Sequence, residues 1–286
     1  MANARGFKKR IASVKNTQKT TNAMKMVAAA KLRKAQQAIL AQRPYALKLK
    51  EILRGIATRS DISAHPLLAR RPVRRARIVV LTSDRGLCGS FNASVLRNTV
   101  FFINENKSSY DEFDMSFIGQ RGYDFFKKRS FKIHRNYEDV MDSITYEKAS
   151  DIAGNLIDEY KAENLDAVYF VYNEFKSAIS QKLVVEEVLP ISRREIGSEQ
   201  SVVDYMYEPN KEKILDDMLP RHVCIQVYRM LLESSASEHG ARMTAMDSAT
   251  RNAGEMIEKL TLLANRMRQQ SITTELVEIV SGAEAL

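Results

Sequence analysis

A loop stands in this sequence where phosphate chemistry is often done. Ser83-Asp84-Arg85-Gly86-Leu87-Cys88-Gly89-Ser90-Phe91-Asn92 closes a buried-strand pattern, Arg77 to Ser83, and opens a helical one after Phe91. At such a junction the backbone N–H groups and dipole of the helix favour an anion. The loop has only two glycines, however, and lacks the Gly-x-Gly-x-x-Gly spacing; no Gly-x-x-x-x-Gly-Lys-Ser/Thr occurs in the chain. A tight turn that needs glycine is therefore expected, not a nucleotide site. Cys88 could act as a nucleophile at a helix N-terminus, but nothing near it in sequence supplies a base. His65, His134, His222 and His239 are scattered without metal-ligand spacing, and Cys88 and Cys224 are too few for a disulfide framework or a zinc site. The carboxylate pairs Asp111/Glu112, Glu186/Glu187 and Asp216/Asp217 are sequence neighbours, so their side chains face apart on a strand or helix and are expected at solvated surface. No catalytic constellation, cofactor or metal is expected, and the chain should not be an enzyme in itself.

The strongest remaining signal is charge. Residues 1–50 carry thirteen Lys/Arg and no Asp or Glu, the first acid being Glu51. Residues 1–80 sum to +18 and the remainder to −9. That asymmetry asks for an acidic partner at the N-terminal segment: a protein, a nucleic acid or an anionic membrane.

The elements that carry these residues are of two kinds. From Ala4 to Thr58 a strict seven-residue repeat places Ala4, Ile11, Gln18, Lys25, Leu32, Ile39, Ala46 and Leu53 at one seam position. Phe7, Val14, Thr21, Ala28, Ala35, Gln42, Leu49 and Ile56 take the other, and Pro44 should bend the helix. From Asn210 to Ala283 a second seam runs Ile214, Arg221, Tyr228, Ser235, Arg242, Ala249, Met256, Leu263, Gln270, Val277, with Met218, Ile225, Leu232, His239, Met246, Ala253, Leu260, Met267, Thr274, Ser281. Two narrow seams of this length are buried most simply by winding around each other, antiparallel. Aligning their polar interruptions sets Gln18–Lys25 against Ser235–Arg242 and leaves about 20 C-terminal residues projecting roughly 30 Å at 1.5 Å per residue. Those interruptions are either solvated faces or a local partner contact.

Between the arms the period changes. Arg77–Ser83, Phe113–Ile118, Ala167–Phe175 and Lys182–Leu189 read as strands, and Gly122–Lys128 and Tyr146–Glu163 as helices. Such alternation predicts a mostly parallel, covered sheet. The fold class expected is thus α+α/β, a long antiparallel coiled coil of N- and C-terminal helices with an inserted Rossmann-like α/β domain. Its divisions are an N-terminal shaft helix over 1–60, the α/β domain with connecting segments over 61–209, and a C-terminal shaft helix over 210–286. No apolar run is long enough to span a bilayer, and the basic start has no apolar segment behind it to make a secretory signal. A basic coiled coil that binds nucleic acid or acts as a scaffold remains an alternative, although Phe7 and Tyr45 are the only aromatics on the basic helix and no recognition motif accompanies it.

Several stretches closely resemble the gamma subunits of F-type ATP synthases. They are Ile11-Ala12-Ser13-Val14-Lys15-Asn16-Thr17-Gln18-Lys19-Thr20, Ala23 to Leu32, the Ser83–Asn92 loop, Tyr205-Met206-Tyr207-Glu208-Pro209, Ala236 to Ala249, and Arg268 to Ala283. The resemblance implies a shaft inside a ring of three alpha and three beta subunits, with ATP made or hydrolysed on beta. It implies that the α/β domain is a foot, seated with the epsilon subunit on the membrane rotor ring, which proton flow turns. It also implies residue roles. Met24, Lys25, Arg85, Arg242, Arg268, Gln269, Thr273 and Glu275 would contact the alpha-beta ring, and Tyr205, Tyr207 and Glu208 epsilon and the rotor ring. Cofactors and nucleic acid are not implied. The membrane would be reached only through the complex, peripherally, at the cytoplasmic face of a bacterial plasma or inner membrane. The cysteine-pair insert of chloroplast members is missing, and the lack of a transit peptide suggests the bacterial type.

Overall fold

The computed structural model describes residues 2–57, 65–69, 71, 72, 74–192 and 211–284. In chain order the elements are α1 (Ala2–Ala57), β1 (Arg75–Leu81), α2 (Phe91–Asn106), β2 (Glu112–Ile118), α3 (Gln120–Phe126), β3 (Lys132–Tyr137), α4 (Tyr146–Lys161), β4 (Ala167–Phe175), β5 (Gln181–Leu189) and α5 (Lys211–Glu284). They form two compact units, one of residues 30–241 and the other of residues 1–29 with 242–286.

In the first unit five strands lie in the order β3-β2-β1-β4-β5, with every pair parallel except β4 with β5. The two-residue period of a strand explains how both faces are covered. Ile78 and Val80 of β1, with Met115, Phe117 and Val171, pack against Val95, Leu96 and Ile103 of α2 and Phe126 of α3. Val79 and Leu81 point the other way. They join Phe170 and Tyr172 in a core with Ile152, Leu156 and Ile157 of α4, Leu49 and Leu53 of α1, and Leu215, Leu219 and Val227 of α5. Leu53 is fully buried there, a burial worth about 1.5–3 kcal/mol. Tyr160 and Tyr172 are also enclosed, and each hydroxyl has an acceptor: Ala69 O at 2.9 Å and Glu186 Oε2 at 2.7 Å. α4 starts at Thr145, whose hydroxyl accepts the Lys148 N–H.

β3 was absent from the strands read in the sequence. Its six residues, Lys-Ile-His-Arg-Asn-Tyr, lie at the sheet edge, and none of them is fully buried. Edge strands need no apolar run. α2 begins where its start was read, and the remaining elements fall where the patterns put them, within two residues at either end.

In the second unit α1 and α5 run antiparallel. Thr21 Oγ1 meets Thr250 Oγ1 at 2.8 Å, and Lys25 Nζ meets Asp247 Oδ1 at 2.6 Å. The less exposed α1 positions here, Phe7, Ile11, Val14, Gln18, Thr21, Met24, Lys25, Ala28 and Ala29, include the described positions of the expected seam. The pairing register differs from the expected one. Gln18–Lys25 lies opposite Asp247–Thr250, not Ser235–Arg242. The polar interruptions are thus not matched to each other. Ser235 lies inside the first unit, 7% exposed among the neighbouring buried Ser234, Ser237 and Glu238.

One series of the α5 seam is also displaced by a residue. Met246, Ala253 and Leu260 are buried as expected, but half-buried Ile257, Ala264 and Ser271 accompany them in place of the exposed Met256, Leu263 and Gln270, while Ala249 and Thr250 are both half-buried. Thr250 tolerates the seam because its hydroxyl bonds Thr21 and its own helix at Met246 O. Met256 and Leu263, at 48% exposed each, are turned outward.

Candidate partner-binding surfaces

The loop after β1 is held at almost every polar group. Ser83 N–H donates to Asn92 Oδ1 at 3.0 Å, Ser83 Oγ donates to Arg85 O at 2.6 Å, and Asn92 Nδ2 lies 3.3 Å from Cys88 Sγ. Asp84 Oδ1 accepts the Gln120 N–H, and Thr82 Oγ1 accepts that of Gly122. Gly119 is obligatory beside them: its φ is +102°, and a Cβ would stand 2.1 Å from Thr82 O. Cys88 is thereby a buried member of a turn network, in keeping with the structural turn expected here. The loop presents Arg85, which is exposed, and Leu87, which is 64% exposed at φ +64°. A leucine with positive φ is costly and persists only where its surroundings impose it.

On the second unit Met24 and Lys25 are half-buried. Lys25 already has an acid inside the chain, because Asp247 bonds it and also receives Arg251 at 3.3 Å. The Lys25 hydrogen bond holds the Asp247 carboxyl below its ordinary range. Arg242 is half-buried; Arg268, Gln269, Thr273 and Glu275 are exposed, with Thr273 Oγ1 donating to Gln269 O in its own helix. Around them Leu262, Leu263, Ile272, Leu276, Val277, Ile279 and Val280 are all exposed large apolar side chains. Tyr205, Tyr207 and Glu208 lie outside the described residues.

Two charge clusters were not visible in the sequence. Arg77 of β1, 2% exposed, donates two hydrogen bonds of 2.7 Å to Asp114 on β2. It also makes a 2.7 Å ion contact with Glu159 on α4, which His134 on β3 approaches at 3.2 Å. Burial alone would lower the guanidinium pKa, but the two carboxylates outweigh it and the pKa is raised. The second cluster corrects the reading of Glu186/Glu187 as solvated. Glu186 accepts from Tyr172 and Arg229, and Glu187 accepts from Tyr169 at 3.2 Å. Arg229 also contacts Glu233 at 3.4 Å, where desolvation pushes the carboxyl pKa up despite the arginine. Only an inward-facing Arg on a long helix could have hinted at this. Among the described residues no group of His, Cys, Asp or Glu could hold a metal ion, and no helix is long and apolar enough to cross a membrane.

An antiparallel pair of very long helices, with a doubly covered α/β domain inserted between them in sequence and held apolar and basic surface turned outward, defines a coiled-coil shaft protein. A family model described as ATP synthase matches residues 3–286. The ATP synthase gamma chain of Geobacter metallireducens (strain ATCC 53774 / DSM 7210 / GS-15) is 50% identical over 286 residues, spanning 100% of this chain and 99% of its own. That of Anaeromyxobacter sp. (strain Fw109-5) is 52% identical over 289 residues, spanning 100% of both chains. A chain of the Euglena gracilis mitochondrial ATP synthase, in an OSCP/F1/c-ring structure, shares the fold with a TM-score of 0.69 at 20% identity, over 99% of this chain and 94% of that one. The chain belongs to the ATP synthase gamma chain family.

Proposed function

We propose that this chain is the central rotor shaft of an F-type ATP synthase, coupling proton-driven rotation of a membrane ring to ATP synthesis or hydrolysis on beta subunits, with no catalysis of its own. One observation carries the reading. From Leu262 to Val280, α5 exposes seven large apolar side chains along a single helix. Large apolar side chains exposed in such number on one stretch of helix mark an interaction site. A surrounding ring of alpha and beta subunits is the cover proposed for it. Arg268, Gln269, Thr273 and Glu275 supply polar contacts on the same stretch, while Met24, Lys25, Arg85 and Arg242 meet the ring elsewhere. The cationic first fifty residues suit acidic loops on beta, since complementary charge steers association and fixes register. Tyr205, Tyr207 and Glu208 are proposed to meet epsilon and the rotor ring. Membrane attachment, at the cytoplasmic face of a bacterial membrane, is then indirect.

An asymmetric shaft works by differential contact. Three identical sites in a ring can be biased differently only if the shaft's contact free energy differs among them, and by linkage their occupancy biases the shaft in return. The test is rotation. The chain is assembled with the alpha and beta subunits of its source, and a bead is attached through Ser108→Cys, an exposed position after α2. ATP should drive stepwise one-directional rotation of the bead. ATP hydrolysis by a ring that holds this chain motionless would overturn the proposal.

A further inference from the structure

The β4–β5 hairpin reaches further than the sheet that carries it. β4 pairs with β1 only as far as Val171, whereas its pairing with β5 runs on to Phe175 opposite Gln181. Tyr172–Phe175 and Gln181–Val184 therefore continue as a two-stranded ribbon, about 13 Å long at roughly 3.3 Å per residue. A ribbon of two strands is barely stable unless something packs on it. At its base Asn173 donates to Phe91 O at 3.3 Å, while Tyr172, on the opposite face, accepts from Arg229 of α5 at 3.2 Å. Arg229 also pairs with Glu186 of β5. At the tip the turn is closed by the Ser177 N–H on Ser180 O at 2.9 Å and by the Ser180 N–H on Ser177 Oγ at 3.0 Å. That turn lies against α5 at Gly240: a Cβ built there would stand 3.1 Å from Ala178 O and 3.3 Å from Ala178 Cα. Only a residue without a side chain lets the two backbones come so close. Ile179, beside the contact, is 82% exposed, so the tip is not fixed by burying its large apolar side chain.

On α5 the two contacts share a face. Arg229, Glu233, Ala236 and Gly240 are spaced by four, three and four residues, which brings them into line on a helix. Ala236, between the contacts, is fully buried. The side chains shrink toward the tip, from arginine to none, as a ribbon closing on the helix requires. Arg229 and Gly240 are about 16 Å apart along α5 at 1.5 Å per residue, and Gly240 falls at the end of the unit of residues 30–241. One attachment alone would leave α5 free to tilt or twist against the sheet. Two on one face oppose both motions. We propose that the β4–β5 ribbon is a brace that fixes the rotary angle of α5 against the α/β domain, and that Gly240 is the positioning residue that admits it. The proposal rests on the rotor reading and adds where, inside this chain, twist passes between the domain and the long helix.

The test uses the assembled complex. Ala178→Cys with Gly240→Cys should oxidise to a disulfide within the chain, because the two backbones are already within bridging reach. A brace does not let go, so the stapled complex in vesicles should hydrolyse ATP and pump protons in the same ratio as before oxidation. Gly240→Leu drives the turn off the helix, whereas Ala178→Gly with Ile179→Gly softens the turn and leaves α5 unaltered. With the bead on Ser108→Cys, in the α/β domain, both variants should broaden the distribution of bead angles during the pauses between steps, while ATP still turns the bead. Gly240→Ala, which asks the turn to yield by a few tenths of an ångström, should broaden it less. Thermal unfolding scores general damage: the softened turn should leave Tm unchanged, so broadening there is mechanical. Loss of coupled pumping on stapling, or bead angles as narrow in both variants as in the unaltered chain, overturns the brace. A bead that the unaltered chain does not turn overturns the rotor reading instead.

Discussion

Replacing Arg77 with methionine isolates one charge at the centre of the α/β domain. The guanidinium is 2% exposed and sits between Asp114 and Glu159, with both polar contacts at 2.7 Å. Methionine keeps much of the volume and removes the charge, so the cost comes from two acids left without their cation. Breaking a buried pair in this way costs about 3–5 kcal/mol. Here the lower end applies, because the Asp114 and Glu159 side chains are 13% and 27% exposed and can regain some water. For a domain of this size about 3 kcal/mol lowers Tm by roughly 6–12 °C. Thermal and urea unfolding of Arg77→Met against the unaltered chain measures it, followed by far-UV circular dichroism and by a probe in the sheet. Arg77→Met with Asp114→Leu, which removes one of the two orphaned carboxylates, should return part of the loss. A Tm change under about 2 °C, or a loss indifferent to Asp114→Leu, refutes the argument that this arginine neutralises buried acids.

Other expectations rest on single contacts. Thr21→Cys with Thr250→Cys should form an intramolecular disulfide under mild oxidation, given hydroxyls 2.8 Å apart, while Thr21→Cys with His239→Cys should not; the reverse result on non-reducing gels would restore the register expected from the sequence. Gly119→Ala should cost several kcal/mol or leave the chain insoluble, since its Cβ cannot coexist with Thr82 O at 2.1 Å; soluble protein of unchanged Tm would show that the turn relaxes freely. Glu233 has a folded pKa raised above its ordinary 4.5, so the carboxyl favours folding at low pH and this contribution fades as pH rises through the folded value. Glu233→Gln should therefore gain stability relative to the unaltered chain as pH rises from about 4.5, and denaturant midpoints showing the opposite slope would contradict it.

The sequence carried the α/β domain well wherever burial was two-sided. Ile78 to Leu81 and Ala167 to Phe175 announce themselves because both of their faces meet core, while Lys132–Tyr137 stays silent at the edge. The α1 seam was legible in the seven-residue period itself: buried Ala28, Leu32, Ala35, Leu49 and Leu53 all fall on it, while Met26, Val27, Leu40 and Leu47, equally apolar, lie off it and are exposed. On α5, Met256 and Leu263 misled the pattern: they are large and apolar at seam spacing, yet they are turned outward, and the adjacent Ile257 and Ala264 are the less exposed. Apolarity reports a wish for cover, not which protein supplies it. The proposed contact residues Arg268, Gln269, Thr273 and Glu275 could be named only through family resemblance, since exposed polar side chains on a helix have no periodic signature. The ribbon's contact with α5 was missed because Ala178 sits in a turn and Gly240 in a helix; only the fold brings them together.

The pairing of Lys25 with Asp247 joins residues 222 positions apart, and the contacts of Gln18 and Thr21 with Thr250 and of Gln42 with Ile225 span 232, 229 and 183. An unstructured loop of that size is slow to close. Folding of residues 30–241 shortens it, because Leu49 and Leu53 share a core with Leu215 to Leu231, which brings the inner halves of the two helices side by side. The α/β domain should thus act as the clasp that lets the helices zip outward from it. During synthesis at about 5–20 residues per second, Lys25 precedes Asp247 out of the ribosome by roughly 10–45 s. For that time the first helix has no seam partner, and its lack of acids before Glu51 acquires a second use: like charges keep nascent copies of this amphipathic segment from pairing with one another.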